Sequence, residues 1–137
     1  MIVIDTHVLV WAVESDSRLG PMARATITDA QREMGIFVSA ITLWEIAMLV
    51  HKDRLALGRD LTPWVEEVLA LTGIHLAPIE PAIAIDSVRL PGQFLADPAD
   101  RLIIATARRH GRTLLTADQA ILAYGAAGHV RVADARR

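Results

Sequence analysis

Two textures alternate along the chain. Short β-branched or aliphatic runs, uniformly apolar, are separated by longer stretches in which apolar residues recur at helical spacing. The run Ile2-Val3-Ile4 predicts a buried strand, followed by a short helix from about His7 to Val13 that Ser15-Asp16-Ser17 breaks. Pro21 stands where a first helical residue belongs and opens a helix to about Glu33. Ile36-Phe37-Val38 predicts a second strand, and Ser39 can cap a helix from Ala40 to His51. Thr62-Pro63 opens another helix that ends near Gly73, His75 to Ile79 a third strand, and Pro81 to Val88 a further helix. Asp97-Pro98 opens the strongest helix, Ala99 to His110, closed by Gly111. Thr113-Leu114-Leu115 is the fourth strand. Asp118 to Tyr124 is a short helix closed by Gly125, and Val130-Arg131-Val132 a fifth strand at the sheet edge. The widest loop runs from about Leu90 to Ala96.

Strands buried on both faces and alternating with helices specify an α/β three-layer sandwich around a mainly parallel sheet of four to five strands. With 137 residues, no linker and no repeat, the chain reads as a single domain, 1–137. It has no cysteine, which rules out disulfides and thiolate metal sites. The opening Met1-Ile2-Val3-Ile4-Asp5 lacks the basic start of a signal peptide, and Ala40 to Val50 is too short to span a bilayer and holds Glu45 in its middle. A cytoplasmic protein without a membrane partner is expected.

Net charge is −2, which alone points away from nucleic acid. If a cation occupies four of the 16 acids, however, the 14 basic residues face only 12 others and the balance turns positive. All the basic residues except Lys52 are arginine, suited to bidentate phosphate contacts, although an Ala-rich composition explains that bias more simply. Hydrophobic residues make up 53% of the chain and mean hydropathy is +0.34, so some apolar surface is expected to be covered by a partner.

The chemical lead is a set of acids. In an open α/β sheet, ligands bind beyond the carboxyl ends of the strands. Asp5 directly follows the first strand and Asp118 lies just past the fourth, so both face one crevice if those strands are neighbours. Asp100 sits in the first turn of its helix and Glu45 in the middle of another. Converging carboxylates repel one another unless a cation or protons neutralise them, and hard oxygen ligands favour Mg²⁺ or Mn²⁺, bound singly or as a pair. Structural explanations compete. Asp97 reads as an N-cap, Asp100 and Asp118 as helix-start acids. Asp5 ends an apolar strand, and Glu45 interrupts a helix that is apolar nearly all round, which predicts burial against core or partner.

In four places the chain resembles the PIN-domain ribonucleases, and among them the VapC-type toxins of toxin–antitoxin pairs. The carriers are Val3-Ile4-Asp5-Thr6-His7-Val8-Leu9-Val10-Trp11, Val38-Ser39-Ala40-Ile41-Thr42-Leu43-Trp44-Glu45-Ile46, Asp97-Pro98-Ala99-Asp100-Arg101-Leu102-Ile103-Ile104-Ala105-Thr106-Ala107 and Leu114-Leu115-Thr116-Ala117-Asp118. The resemblance implies a PIN-like fold and Mg²⁺- or Mn²⁺-dependent cleavage of RNA by a metal-activated water. Asp5, Glu45, Asp100 and Asp118 would be the catalytic and metal-binding acids, supported by Thr6 and Thr116, with Asp97 positioning Asp100. It also implies a homodimer and a cognate antitoxin. Arg101, Arg108, Arg109 and Arg112 are candidates to follow the RNA backbone; a solvated helix face is their plainer explanation, above all for Arg108.

The remaining polar residues carry less. His7, His51, His75, His110 and His129 show no paired spacing for zinc. His7 is two residues from Asp5 but is better explained by packing. Trp11, Trp44 and Trp64 are expected in the core or an interface rather than stacked on bases. A phosphatase of the haloacid-dehalogenase kind would need an acid where His7 stands. A non-catalytic PIN-like protein that binds RNA or protein partners is the alternative function.

Overall fold

The computed structural model describes residues 1–92 and 97–137. Five strands, β1 (Ile2–Ile4), β2 (Ile36–Ser39), β3 (Ile74–Ala77), β4 (Thr113–Thr116) and β5 (Val132–Asp134), form one sheet in the order β3-β2-β1-β4-β5. Every pairing is parallel. Seven helices among the described residues connect them: α1 (Thr6–Val13), α2 (Pro21–Arg32), α3 (Ala40–His51), α4 (Leu61–Ala70), α5 (Pro81–Val88), α6 (Pro98–His110) and α7 (Gln119–Ala126). The three-layer sandwich expected from the alternating textures is the fold observed.

Strand alternation divides the core. Ile2 and Ile4 of β1 join Val8, Leu9, Ile36, Val38 and Leu115 on one face of the sheet. Val3, between them, joins Leu114, Ile103, Ile104 and Ile121 on the other. Leu114 is fully buried under α6, so Leu114→Ala should cost about 2–5 kcal/mol, read as a lower denaturant midpoint with an unchanged slope.

Differences from the sequence expectations have local causes. Gly125 does not close α7 but lies inside it, because a Cβ there would meet the Val132 side chain at 2.3 Å; the glycine admits β5 against the helix. β5 begins two residues later than the Val130 start expected, since Val130 is buried in the α6–α7 cluster and Leu114 pairs with Val132. β3 ends at Ala77, ahead of Pro78, whose missing N–H cannot continue a ladder. α4 starts at Leu61, before Thr62-Pro63. The largest departure is α3. Only Thr42 and Ile46 are fully buried on it, and Trp44 is 58% exposed, so its all-round apolar pattern does not mean all-round burial. Trp11 and Trp64 are buried as expected. Of the expected Leu90–Ala96 loop, residues 93–96 lie outside the described residues.

Candidate active site

The chain builds β1, β2 and β3 toward one edge of the sheet and β4 and β5 toward the other, so the topology switches direction between β1 and β4. These two strands are neighbours, with Ile4 opposite Leu115. Asp5 and Asp118 therefore leave adjacent strands at the carboxyl edge, where a crevice opens. That crevice is a cavity of about 270 Å³ lined by Asp5, His7, Trp11, Glu45, Asp97, Asp100, Ala117, Asp118 and Arg136.

Each acid is held by its own element. Asp5 is the N-cap of α1 and is buried. Its Oδ1 accepts from the Thr6 backbone N–H at 2.8 Å, and its Oδ2 accepts from the Thr116 hydroxyl at 2.6 Å. The same Thr116 oxygen accepts from the Asp118 N–H at 3.1 Å, which ties the two strand ends together. Asp118 caps α7 through the Ile121 N–H, and Asp97 caps α6 through the Ala99 and Asp100 N–H groups. Glu45 projects from the half-buried part of α3, beside Thr6, whose hydroxyl also meets that of Thr42.

The crowding is visible in the protonation of the acids. Burial, then the charges of Asp97, Asp5, Asp118 and Glu45, push the Asp100 carboxyl up to about 8. Burial raises Asp5 despite the opposing hydrogen bonds from Thr116 and Thr6. Burial also raises Glu45, against the Thr6 hydroxyl and reinforced by Asp5 and Asp97. One carboxylate oxygen from each of Glu45, Asp97 and Asp100 lies within 4.8 Å of the others, a spacing one cation can bridge. Hard carboxylate donors that are disfavoured as bare anions fit a divalent cation.

The four acids singled out in the sequence share this cavity. Asp97 is a cap as expected, but it also stands in the acid cluster, which its local pattern does not reveal. His7 lines the cavity, whereas Arg101, Arg108, Arg109 and Arg112 do not. Arg101 donates to the Ser87 carbonyl. Arg109 lies nine residues along α6 from Asp100, roughly 13 Å at 1.5 Å per residue. Arg108 and Arg112 line a larger cleft at the opposite end of the sheet, about 790 Å³, which has no acid in its wall. Among the described residues, the arginine that lines this cavity is Arg136, missed because nothing in the C-terminal sequence shows where β5 delivers it.

The PIN domain family model matches residues 2–127. The chain belongs to the PIN domain family. As a PIN domain it is 34% identical over 118 residues to Ribonuclease VapC22 of Mycobacterium tuberculosis, an alignment covering 86% of this chain and 87% of that one. The same PIN fold is seen in VapBC2 from Rickettsia felis bound to a DNA fragment from their promoter, at 16% identity, 98% of each chain and a TM-score of 0.69. FitAcB from Neisseria gonorrhoeae matches at 24% identity, 96% of each chain and a TM-score of 0.61. Among the described residues of this PIN domain, no helix is long and apolar enough to cross a membrane.

Proposed function

We propose that this PIN domain is a metal-dependent endoribonuclease, the toxin of a toxin–antitoxin pair, cutting RNA phosphodiester bonds in the cytoplasm. The observation that carries the proposal is the convergence of Asp5, Glu45, Asp100 and Asp118, with Asp97, on one cavity at the sheet switch point. The ribonuclease name of the VapC22 relative supports the reaction, and the fold shared with a toxin–antitoxin complex from Klebsiella pneumoniae, at 21% identity and a TM-score of 0.56, supports an antitoxin partner.

Asp5, Glu45, Asp100 and Asp118 would hold Mg²⁺ or Mn²⁺, with Asp97 beside them. When bound, such a cation supplies Lewis acidity toward the phosphate and an activated water as nucleophile. The chain's own residues do the rest. Thr116 and the Thr6 N–H orient both oxygens of Asp5, so its carboxylate meets a cation without rearrangement. Burial of Asp5 in the cavity wall would keep its charge out of bulk water. Asp100, with its carboxyl pushed up to about 8, would be protonated at neutral pH in the metal-free protein, which relieves the repulsion among the acids, and would give up that proton to bind a cation. Exposed Trp44 on α3, with Ile85 and Val88 of α5, provides apolar surface that an antitoxin or a second copy of the chain would cover.

The test is digestion of single-stranded RNA by purified, antitoxin-free protein with Mg²⁺ or Mn²⁺, with and without EDTA. Internal cleavage that EDTA abolishes is expected. Cleavage that is indifferent to EDTA, or none with either metal, sinks the proposal. The intact acid cluster lends no support to the non-catalytic alternative.

A further inference from the structure

The structure assigns Arg136 as a phosphate-binding residue of the acid cavity, an anchor for the RNA backbone held in place by the C-terminal strap. This rests on the nuclease reading of the cavity. Among the described residues the cavity wall carries five carboxylates, and apart from His7 its one basic side chain is Arg136. A phosphodiester approaching such a wall meets repulsion from every carboxylate that a cation does not cover, so a fixed cation facing the same space has a direct use.

Arg136 is fixed by its backbone. β5 pairs with β4, and beyond it the Ala135 N–H donates to the Thr116 carbonyl at 2.8 Å. The Ala135 carbonyl accepts from the Gly20 N–H at 2.9 Å, and the Arg137 carbonyl accepts from the Ala23 N–H at 2.9 Å at the start of α2. The Arg136 N–H itself donates to Asp134 Oδ1 at 2.9 Å. The strap lies so close to α2 that a Cβ on Gly20 would stand 2.2 Å from the Arg137 carbonyl oxygen. Ala135 is fully buried as a result, and the residue after it is turned out toward the cavity.

The guanidinium is held but not neutralised. Its Nη1 donates to the Ala117 carbonyl at 3.2 Å, one residue before Asp118. Among the described residues no carboxylate lies within ion-pair distance of it, although Asp134 pairs with the neighbouring Arg137. Its remaining N–H groups make no hydrogen bond among the described residues and form a fork that matches two phosphate oxygens. Arg136 lies past residue 127, where the match to the family model ends.

The experiment measures binding of a fluorescent single-stranded RNA oligonucleotide by anisotropy in EDTA, over a range of salt, for the full chain and for Arg136→Gln and Arg136→Lys. Manganese binding is titrated in parallel. Arg136→Gln should bind RNA about tenfold more weakly, and the slope of log affinity against log salt should shrink by about 0.7, the value for one phosphate contact on a single strand. Arg136→Lys should keep the salt slope and recover part of the affinity. Manganese affinity should be unchanged in both. RNA affinity and salt slope in Arg136→Gln equal to those of the unaltered protein overturn the proposal, even if its melting temperature falls; Arg136 is then only a tie to Ala117. Loss of RNA binding in Arg136→Gln, in a protein that fails to cleave with any metal, would keep the phosphate contact and discard the nuclease reading.

Discussion

Asp5→Asn should reduce metal-dependent RNA cleavage by more than about 100-fold while leaving the fold intact. Loss of residues that only support metal ligands costs 10- to 100-fold, and a ligand itself should exceed that range. The fold survives because asparagine can reuse the local bonds. Its carbonyl oxygen accepts from the Thr6 N–H as Asp5 Oδ1 does now. Its amide then faces the Thr116 hydroxyl, which must switch from donor to acceptor. That oxygen already accepts from the Asp118 N–H and has a second lone pair free for the purpose. Removing a buried charge also removes a desolvation cost, the main reason the Asp5 carboxyl is raised. The melting temperature of the metal-free variant should therefore equal or exceed that of the unaltered protein. Thermal melts paired with cleavage assays check both halves. Full activity in a well-folded Asp5→Asn protein would remove Asp5 from the site.

Asp5 and Asp118 were legible in the sequence because a strand end is a position with a meaning: apolar runs stop where the crevice begins. The missing datum was strand order. Nothing in the local pattern says that β1 neighbours β4, and the long-range Thr116–Asp5 bond depends on it. Glu45 was legible for a different reason, as an acid in a helix with no polar face. The same pattern misled about α3 as a whole. When every position is apolar, periodicity contains no information on which face is buried, and half-exposed Trp44 cannot be told from core Ile46.

Asp97 and Arg136 show two further ways in which a site escapes a linear reading. The Asp97 side chain fully explains itself as a cap, through hydrogen bonds two and three residues ahead, so no leftover oddity points to the cluster. Arg136 reaches the acids only through the parallel pairing of β5 and the docking of the tail on α2, contacts separated by more than a hundred residues from Gly20. Sequence arguments about arginines favoured α6 and the residues just after it, where Arg101, Arg108, Arg109 and Arg112 are close together in the chain. A helix that starts at the site and runs away from it carries its C-terminal arginines to the other end of the sheet.

Metal binding to this cluster should be strongly coupled to pH, and Asp100 sets the window. Its carboxyl stands at about 8 in the folded, metal-free protein, against an ordinary value of 3.8. Between these values the folded chain retains a proton that the unfolded chain releases, so metal-free stability should fall as pH rises from about 4 to about 8 and level off above. A cation reverses the preference, because it binds the ionised form. Below pH 8 each binding event must expel the Asp100 proton, and apparent affinity for Mn²⁺ should rise about tenfold per pH unit from pH 6 toward 8. Calorimetric titration at pH 6, 7 and 8, in buffers of different ionisation enthalpy, reads both the affinity and the proton released. Asp100→Asn should bind Mn²⁺ more weakly at pH 8, with a shallower pH dependence, while its metal-free form should lose the stability decline between pH 4 and 8 that Asp100 causes. Affinity independent of pH in the unaltered protein would mean that Asp100 is already ionised when the cation arrives, and that the five carboxylates lie farther apart in solution than in this cavity.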